Sequence, residues 1–312
     1  MDTKMRTHKN GTINVILHDK WQTNEYRDAG LPQQSHKELQ FIEHAFSDFI
    51  GLHDFKHYVK EIYAMNLIQS RREELGLEAS SQSLHMIFKG NPGTGKTTIA
   101  RKLASVFGEL QVLSKGHFIE AERADLVGEY IGQTAQKTRK LIQKALGGVL
   151  FIDEAYALAR GGNKDFGREA IDTLVKQMED YHQEFILILA GYPREMDYFL
   201  ELNPGLQSRF PFHMSFEDYS VHELLCIAKK ITSDKQYHLS KKAIQKLKNH
   251  LIQLKEEHIL HFSNGRHIRN LIEESIRKQS MRLLMEKRTK IHDLMEIKSI
   301  DLQLKLNEDH YI

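Results

Sequence analysis

The sequence predicts an α/β fold: a parallel five-stranded sheet with helices on both faces, followed by a small all-helical domain. Two observations carry this prediction. Short apolar runs alternate with amphipathic helical segments, which is the pattern of a parallel sheet with crossover helices. Beyond Glu217 the strand pattern stops and helical periodicity takes over. The five apolar runs are Leu84–Phe88, His117–Ala121, Val149–Ile152, Phe185–Ala190 and Phe210–Phe216.

The helical segments show single apolar faces. From Glu38 to Glu78 two helices are predicted, and the break between them falls at Ile50-Gly51-Leu52. Between the strands, one face carries Ile99, Leu103, Val106 and Phe107, and another carries Ala170, Ile171, Leu174, Val175 and Met178. In the last part, the stripes are Ile244, Leu247, Leu251 and Leu254, then Ile268, Leu271, Ile272, Ile276 and Leu283.

These patterns divide the chain into an N-terminal arm, an α/β domain and a helical domain, over residues 1–36, 37–216 and 217–312. The arm is polar and irregular, and we expect it to be flexible. A short docking segment for a partner is the alternative interpretation.

Composition narrows the class of protein. Of the 312 residues, 28% are charged and 40% hydrophobic, a balance typical of globular proteins, and the net charge of +2 argues against a strongly basic nucleic-acid-binding coat. The single cysteine, Cys226, excludes an internal disulfide and a cysteine-based zinc finger. The first residues have no signal-peptide pattern, and no apolar stretch approaches the roughly 18 residues of a membrane-spanning helix. We therefore expect a cytoplasmic protein without a membrane segment.

A phosphate-binding loop follows the first predicted strand. The segment matches G-x-x-x-x-G-K-[ST] and opens a helix, which is the context that distinguishes this motif from a chance glycine-rich turn. Glycines let the backbone curl around phosphates, Lys96 supplies a cation, and Thr97 offers a hydroxyl to Mg²⁺. The motif comprises Gly90, Asn91, Pro92, Gly93, Thr94, Gly95, Lys96 and Thr97.

Two carboxylates follow the third predicted strand. Asp153 and Glu154 come directly after the apolar run Val149–Ile152, and ligand sites of α/β proteins lie at the carboxyl ends of strands. We expect Asp153 to hold the Mg²⁺ shell and Glu154 to polarise the attacking water. Ile50 and Gly51, at the break between the N-terminal helices, complete the candidates for binding ATP.

These features together resemble the AAA+ ATPases, P-loop NTPases in which a helical lid domain follows the α/β domain. In the segment Asn203 to Phe210, Arg209 resembles the arginine finger of that family. The resemblance implies that Arg209 reaches the ATP of a neighbouring subunit, where a guanidinium stabilises charge on the transferring phosphoryl group. The alternative is an exposed arginine that ends a helix.

Two further segments extend the resemblance. The run Asn264 to Arg269 is similar to the sensor 2 turn, which implies that Arg266 contacts the γ-phosphate, with Arg269 as the nearby alternative and an ordinary helix start as the simpler interpretation. The run Asp125 to Thr134 is similar to the pore loop of protein-translocating members. This implies that Tyr130, Ile131 and Gly132 grip an extended polypeptide; packing of Tyr130 in a core is the alternative.

One position departs from the family pattern. Most AAA+ proteins place a polar Asn or Thr after the fourth strand to orient the attacking water, whereas this sequence places Tyr192 near that position. A phenol can orient water, so Tyr192 is retained as a catalytic candidate.

The order and spacing of these motifs resemble the CbxX/CfxQ group of AAA+ proteins. The resemblance implies a Mg²⁺-ATP-hydrolysing ring, a hexamer assembled with ATP, that remodels or threads an unknown protein client. We see no C-terminal tail fitted to a sugar bisphosphate, which favours the members that act in endospore formation over the red-type Rubisco activases. A Rubisco-activase-like remodeller, a nucleic-acid motor and an ATP-dependent scaffold or switch remain alternatives, and the near-neutral charge makes nucleic acid the weaker partner.

Overall fold

A computed structural model describes residues 33–47, 49, 53–78, 82–161, 165–256, 263–287 and 290–304. The chain divides into a unit of residues 1–37 and a unit of residues 38–312, and the fold below is that of the second. Of the predicted arm, residues 1–32 lie outside the described residues, and residues 33–36 lie in the first helix. The predicted nucleotide contacts Ile50 and Gly51 also lie outside the described residues.

The central sheet has five parallel strands in the order β2-β3-β4-β1-β5. Each strand overlaps one predicted apolar run, which confirms the predicted sheet, although β1 begins and ends two residues later than its predicted run. The last strand starts two residues later than predicted, because Pro211 has no backbone N–H to donate to a neighbouring strand. The strands are β1 Met86–Gly90, β2 Phe118–Ala121, β3 Val149–Ile152, β4 Ile186–Gly191 and β5 Phe212–Phe216.

Helices cover both faces of the sheet. Because side chains alternate along a strand, Phe151 of β3 joins one core while Leu150 and Ile152 join the other. Helices α1 to α3 contribute to the first core, and helices α5 to α7 to the second. The helices of this part are α1 Gln33–Ala45, α2 His53–Glu74, α3 Lys96–Glu109, α4 Arg123–Leu126, α5 Gln133–Ala145, α6 Gly167–Asp180, α7 Pro193–Glu201 and α8 Pro204–Gln207.

The C-terminal part is a mostly helical lid with its own core, built on Leu224, Leu247 and Ile268. It also contains two short parallel strands, β6 His238–Leu239 and β7 Glu296–Ile297. The lid is therefore not entirely helical, because residues following α12 return to pair with the turn after α9. Its helices are α9 Val221–Asp234, α10 Lys241–Glu256, α11 Asn264–Glu286 and α12 Ile291–Met295.

The strand order places the predicted site residues at one edge of the sheet. Strands β1, β3 and β4 are adjacent and parallel, so their carboxyl ends lie side by side. The phosphate loop follows β1, Asp153 and Glu154 follow β3, and Tyr192 follows β4. Residues far apart in sequence thus meet where α/β folds bind ligands.

Candidate nucleotide-binding site

The phosphate loop is held in a conformation that glycine favours. Gly93 and Gly95 have φ angles of +72° and +95°, in the left-handed region where a side chain is strained. Gly95 is the N-cap of α3, which begins at Lys96. The first backbone N–H groups of a helix lack partners within it, so the loop and the start of α3 together present donors and a partial positive charge to an anion.

Lys96 lies within the loop. Its Nζ donates to the carbonyl oxygens of Gly90 at 2.7 Å and Asn91 at 2.9 Å. Burial lowers the pKa of the Lys96 ammonium, while the nearby Asp153 carboxylate acts in the opposite direction. A charged phosphate oxygen is a stronger acceptor than these two neutral carbonyl groups, so Lys96 can exchange them for a bound phosphate.

The loop has internal supports. The Thr94 hydroxyl donates to the carbonyl oxygen of Asn91 at 2.8 Å, and Thr94 is buried. At Gly90 a Cβ atom would lie 2.6 Å from the carbonyl oxygen of Phe216, so strand β5 leaves no space for a side chain there. Thr94 and Gly90 therefore fix the conformation of the loop, and the Thr94 hydroxyl is used within it.

The two acids lie at the end of β3 in different environments. Asp153 is half-buried and its Oδ1 accepts from the backbone N–H of Glu154 at 3.0 Å. Glu154 is exposed and has φ of +47°, a conformation that costs energy for a residue with a side chain. Thr97 and Asp153 supply the hydroxyl and carboxylate oxygens that Mg²⁺ prefers, so the residues present fit that ion.

A cavity of about 830 Å³ collects most of the predicted site. It lies between the α/β part and the lid, and it has room for a nucleotide. Asn91, Gly90 and Thr94 belong to the loop beside it. The predicted residues that line it are Pro92, Gly93, Gly95, Lys96, Thr97, Asp153, Glu154, Tyr192, Arg266 and Arg269.

Tyr192 lies at this cavity as the N-cap of α7. It is half-buried, and its ring centroid lies 6.0 Å from that of Tyr156. Tyr156 itself fills the space beside Gly191, where a Cβ atom would approach its ring to 2.7 Å. The phenol of Tyr192 is thus held at the same sheet edge as Glu154.

Arg266 and Arg269 enter the cavity from the first turns of α11 in the lid. The guanidinium of Arg266 lies close enough to Lys96 to contribute to lowering the pKa of that ammonium. Lys96 from the α/β part and Arg266 from the lid thus bring two positive charges to one cavity, which suits a polyanion.

Arg209 lies elsewhere. It lines a different cavity together with Glu179 and His182, and it is absent from the lining of the nucleotide cavity. Its guanidinium donates to the carbonyl oxygen of Gly205 at 2.6 Å and forms an ion pair with Glu179. The structure therefore brings the other predicted catalytic residues together and leaves Arg209 apart from them.

The segment predicted as a pore loop connects α4 to α5. The side chains at its tip are open to solvent, with Tyr130 67% and Ile131 89% exposed, and Gly132 has φ of +83°. Its base is anchored, because the buried Thr134 hydroxyl accepts from the backbone N–H of Gly128 at 2.9 Å. Tyr130 does not pack in a core in this structure.

Sequence reasoning missed Asp218 and Tyr219, and it assigned no role of its own to Asn264, although all three join the lid to the loop. The Tyr219 hydroxyl donates to the carbonyl oxygen of Thr94 at 2.9 Å. Asp218 and Asn264 bond to each other and to residues of the loop. A polar pair just after the last strand, at the start of the lid, is the signal that would have drawn attention to Asp218 and Tyr219.

Within the residues that the structure describes, no helix is long and apolar enough to cross a membrane. The same residues include no group of three or more His, Cys, Asp or Glu side chains arranged to hold a metal ion.

Comparison with known proteins defines the class of this protein. The model of the ATPase family associated with various cellular activities (AAA) matches residues 86–218, and the AAA lid domain model matches residues 220–310. The chain belongs to the AAA family of ATPases and carries an AAA domain followed by its lid, which confirms the predicted family and fold.

Individual relatives narrow the likeness. The chain is 58% identical over 309 residues to stage V sporulation protein K of Bacillus subtilis (strain 168), covering 96% of each protein. It is 43% identical over 259 residues to the chloroplastic ribulose bisphosphate carboxylase/oxygenase activase of Cyanidioschyzon merolae, covering 82% of this chain and 87% of that one. It is also 43% identical over 245 residues to protein CfxQ of Xanthobacter flavus, covering 78% and 77%. The predicted likeness to the CbxX/CfxQ group is confirmed.

Proposed function

We propose that this protein is a Mg²⁺-dependent ATPase that works as a closed ring, a hexamer assembled with ATP, and remodels a protein client. One observation carries the proposal: Arg209 lies apart from a cavity that collects the loop, the acids and the lid arginines. A guanidinium in that position serves a neighbour's nucleotide rather than its own. The site is then complete only where two subunits meet.

The described residues divide the work of hydrolysis. Lys96, the loop N–H groups and Arg266 bind and orient the triphosphate. Mg²⁺, held by Thr97 and Asp153, would offset the phosphate charge. Glu154 accepts a proton from the attacking water, Tyr192 orients that water, and Arg209 of the neighbouring subunit stabilises the charge that develops on the phosphoryl group.

The exposed tip at Tyr130 and Ile131 provides the contact with a client. Its aromatic and aliphatic side chains suit an extended polypeptide. Apolar contacts of this kind depend little on the sequence of the polypeptide. The bond between Gly128 and Thr134 joins the two ends of the loop. In the proposed mechanism, a movement of α4 and α5 therefore carries the exposed tip with it.

The biological setting follows from relatives. We infer a role in endospore formation, in the cytoplasm, because identity to the sporulation protein is 58% over 96% of the chain. A Rubisco-activase-like activity is the second candidate, supported by 43% identity to the algal activase.

The test uses the full chain with Glu154→Gln, which we expect to bind ATP and stall its hydrolysis. Its mass is measured by light scattering with and without Mg²⁺-ATP, beside the turnover of the unaltered protein. ATP-dependent assembly into a ring of about six supports the proposal. A Glu154→Gln variant that binds ATP but stays monomeric contradicts the ring. An unaltered protein that binds ATP without hydrolysing it favours the ATP-dependent scaffold or switch.

A further inference from the structure

We propose that Asn264 and Asp218 form a positioning pair that holds the start of helix α11 against the phosphate loop and thereby aims Arg266 at the γ-phosphate. This inference rests on the proposed ATPase function. It assigns a role to two residues that the sequence motifs do not place in contact with ATP. Neither residue is placed in the chemistry itself, since both act through Arg266 and the loop.

Asn264 is built into its place. It is the first residue of α11, has no exposed surface, and has φ of +43°. Its side-chain Nδ2 donates to Asp218 Oδ1 at 2.7 Å, and its Oδ1 accepts from the backbone N–H of Tyr219 at 3.0 Å. A buried amide in a left-handed conformation persists only when its surroundings fix it, and such residues cluster at functional sites.

The same pair grips the loop. Asn91 Nδ2 donates to both carboxylate oxygens of Asp218 at 3.0 Å. The backbone N–H of Gly265 donates to the carbonyl oxygen of Gly93 at 3.0 Å, and Asn264 Nδ2 lies 3.4 Å from the carbonyl oxygen of Pro92. Three successive loop residues are therefore bonded to the start of α11 or to Asp218.

The loop approaches the start of α11 so closely that there is no space for a side chain at Gly93. A Cβ atom at Gly93 would lie 2.1 Å from the carbonyl oxygen of Ser263 and 2.8 Å from the backbone nitrogen of Arg266. The loop and the backbone of Arg266 thus touch directly. The position of Gly93 in the loop and the position of the Arg266 backbone are therefore fixed against each other.

The position of Asp218 gives the pair a second role. Asp218 lies between β5 and α9, where the chain passes from the α/β part into the lid. From this crossing, one carboxylate therefore contacts both the loop, at Asn91, and the lid, at Asn264.

The test exploits the direction of the hydrogen bond. Asn264→Asp replaces the donor by a second carboxylate facing Asp218, so like charges meet where a charge-assisted bond stood. Asp218→Asn in the same chain restores a donor–acceptor pair with the partners exchanged. All variants are made in the Glu154→Gln background, and dissociation constants for fluorescent ATP and ADP are measured together with the melting temperature.

We expect Asn264→Asp to raise the dissociation constant of ATP about tenfold or more and that of ADP less than about threefold, since Arg266 is directed at the γ-phosphate. The double variant is expected to recover most of the ATP affinity. Arg266→Ala is expected to produce the same selective loss and to add little to Asn264→Asp, because both act through one contact. The matched control is Asn249→Asp on the exposed face of α10, where the amide oxygen accepts from Gln245 at 2.9 Å.

Equal losses for ATP and ADP, or a double variant no better than Asn264→Asp alone, would overturn the proposal and leave the pair a plain structural contact. If Asn264→Asp fails to fold, Asp218→Ala alone decides, because Asp218 is exposed and alanine removes the oxygen that accepts from Asn264 Nδ2 and Asn91 Nδ2. An ATP affinity unchanged in that variant then contradicts the pair. Binding is measured without turnover, so absence of ATPase activity would refute the proposed function and leave this test readable.

Discussion

The backbone at Glu154 has φ of +47°, and the side chain is exposed in the nucleotide cavity. We expect Glu154→Gln to lower the hydrolysis rate by about 10²–10⁴-fold, because general bases contribute rate factors of that size. The dissociation constant of ATP should change little, since the amide keeps the shape of the side chain. Steady-state turnover and nucleotide titration measure the two quantities, and Glu73→Gln on exposed α2 is the control. Loss of both together would contradict the assignment.

His85 makes the fold sensitive to acid. Burial lowers the pKa of His85 to about 4, with a smaller opposing effect from a backbone hydrogen bond and a small lowering by His182. Its Nδ1 accepts from the backbone N–H of Leu187 at 3.0 Å, so the ring is needed uncharged. Below pH 6.5 the unfolded chain takes up a proton that the folded chain refuses until about pH 4.

The free energy of unfolding should therefore fall as the pH decreases from about 6.5 to 4, by roughly 3 kcal/mol from this residue. His85→Gln keeps an acceptor for Leu187 and should flatten that dependence. Urea unfolding at pH 7 and pH 5 measures it, with exposed His57→Gln as the control. A pH dependence as steep in His85→Gln as in the unaltered protein would show that other groups account for it.

The connection between α4 and α5 pairs an anchored base with an exposed tip. We expect Tyr130→Ala to keep ATP hydrolysis within about twofold, because Tyr130 does not line the proposed nucleotide cavity. If the tip contacts the client as proposed, the variant should lose the stimulation of hydrolysis by an unfolded protein such as carboxymethylated lactalbumin. Tyr198→Ala on α7 is the matched control, since Tyr198 is 63% exposed and Tyr130 67%. Equal stimulation of both variants would remove the loop from client contact.

The strands and the phosphate loop were predictable because their signals are local. The central strands are runs buried on both faces, as Val149–Ile152 shows, and the loop motif is contiguous. The pair Asn264 and Asp218 was not predictable, because the bond joins residues 46 positions apart and depends on where the lid settles. The ion pair of Arg209 with Glu179 spans 30 positions and escaped prediction for the same reason.

The lid shows how long-range pairing also limits sequence reasoning. Its helices were predictable from apolar stripes such as Leu247 and Leu251, which are fully buried. The two-residue strands at His238 and Glu296 are too short to show an alternating pattern, and they pair across more than fifty positions of the chain. Tertiary contact, rather than local preference, forms that pairing.

Arg209 lies apart from the proposed nucleotide cavity of its own subunit, and its proposed role as an arginine finger predicts complementation between defective subunits. Arg209→Ala keeps Glu154, and Glu154→Gln keeps Arg209, so each alone should hydrolyse ATP at least about 10²-fold slower. In an equimolar mixture, about a quarter of the interfaces join an intact Glu154 to a neighbour's intact Arg209. ATPase activity should therefore recover to about a quarter of the unaltered rate.

Subunits of the two variants are mixed before Mg²⁺-ATP is added, and phosphate release is followed as the mixing ratio changes. The rate should peak at equal amounts, because productive interfaces need one subunit of each kind. The control mixes Glu154→Gln with the double variant Glu154→Gln/Arg209→Ala, in which no subunit retains an intact Glu154. An active mixture only in the first case places the finger in the neighbour's site, since neither subunit can supply both groups. A mixture as slow as its components would mean that Arg209 swings into its own cavity, away from Glu179, and that the subunits hydrolyse ATP independently.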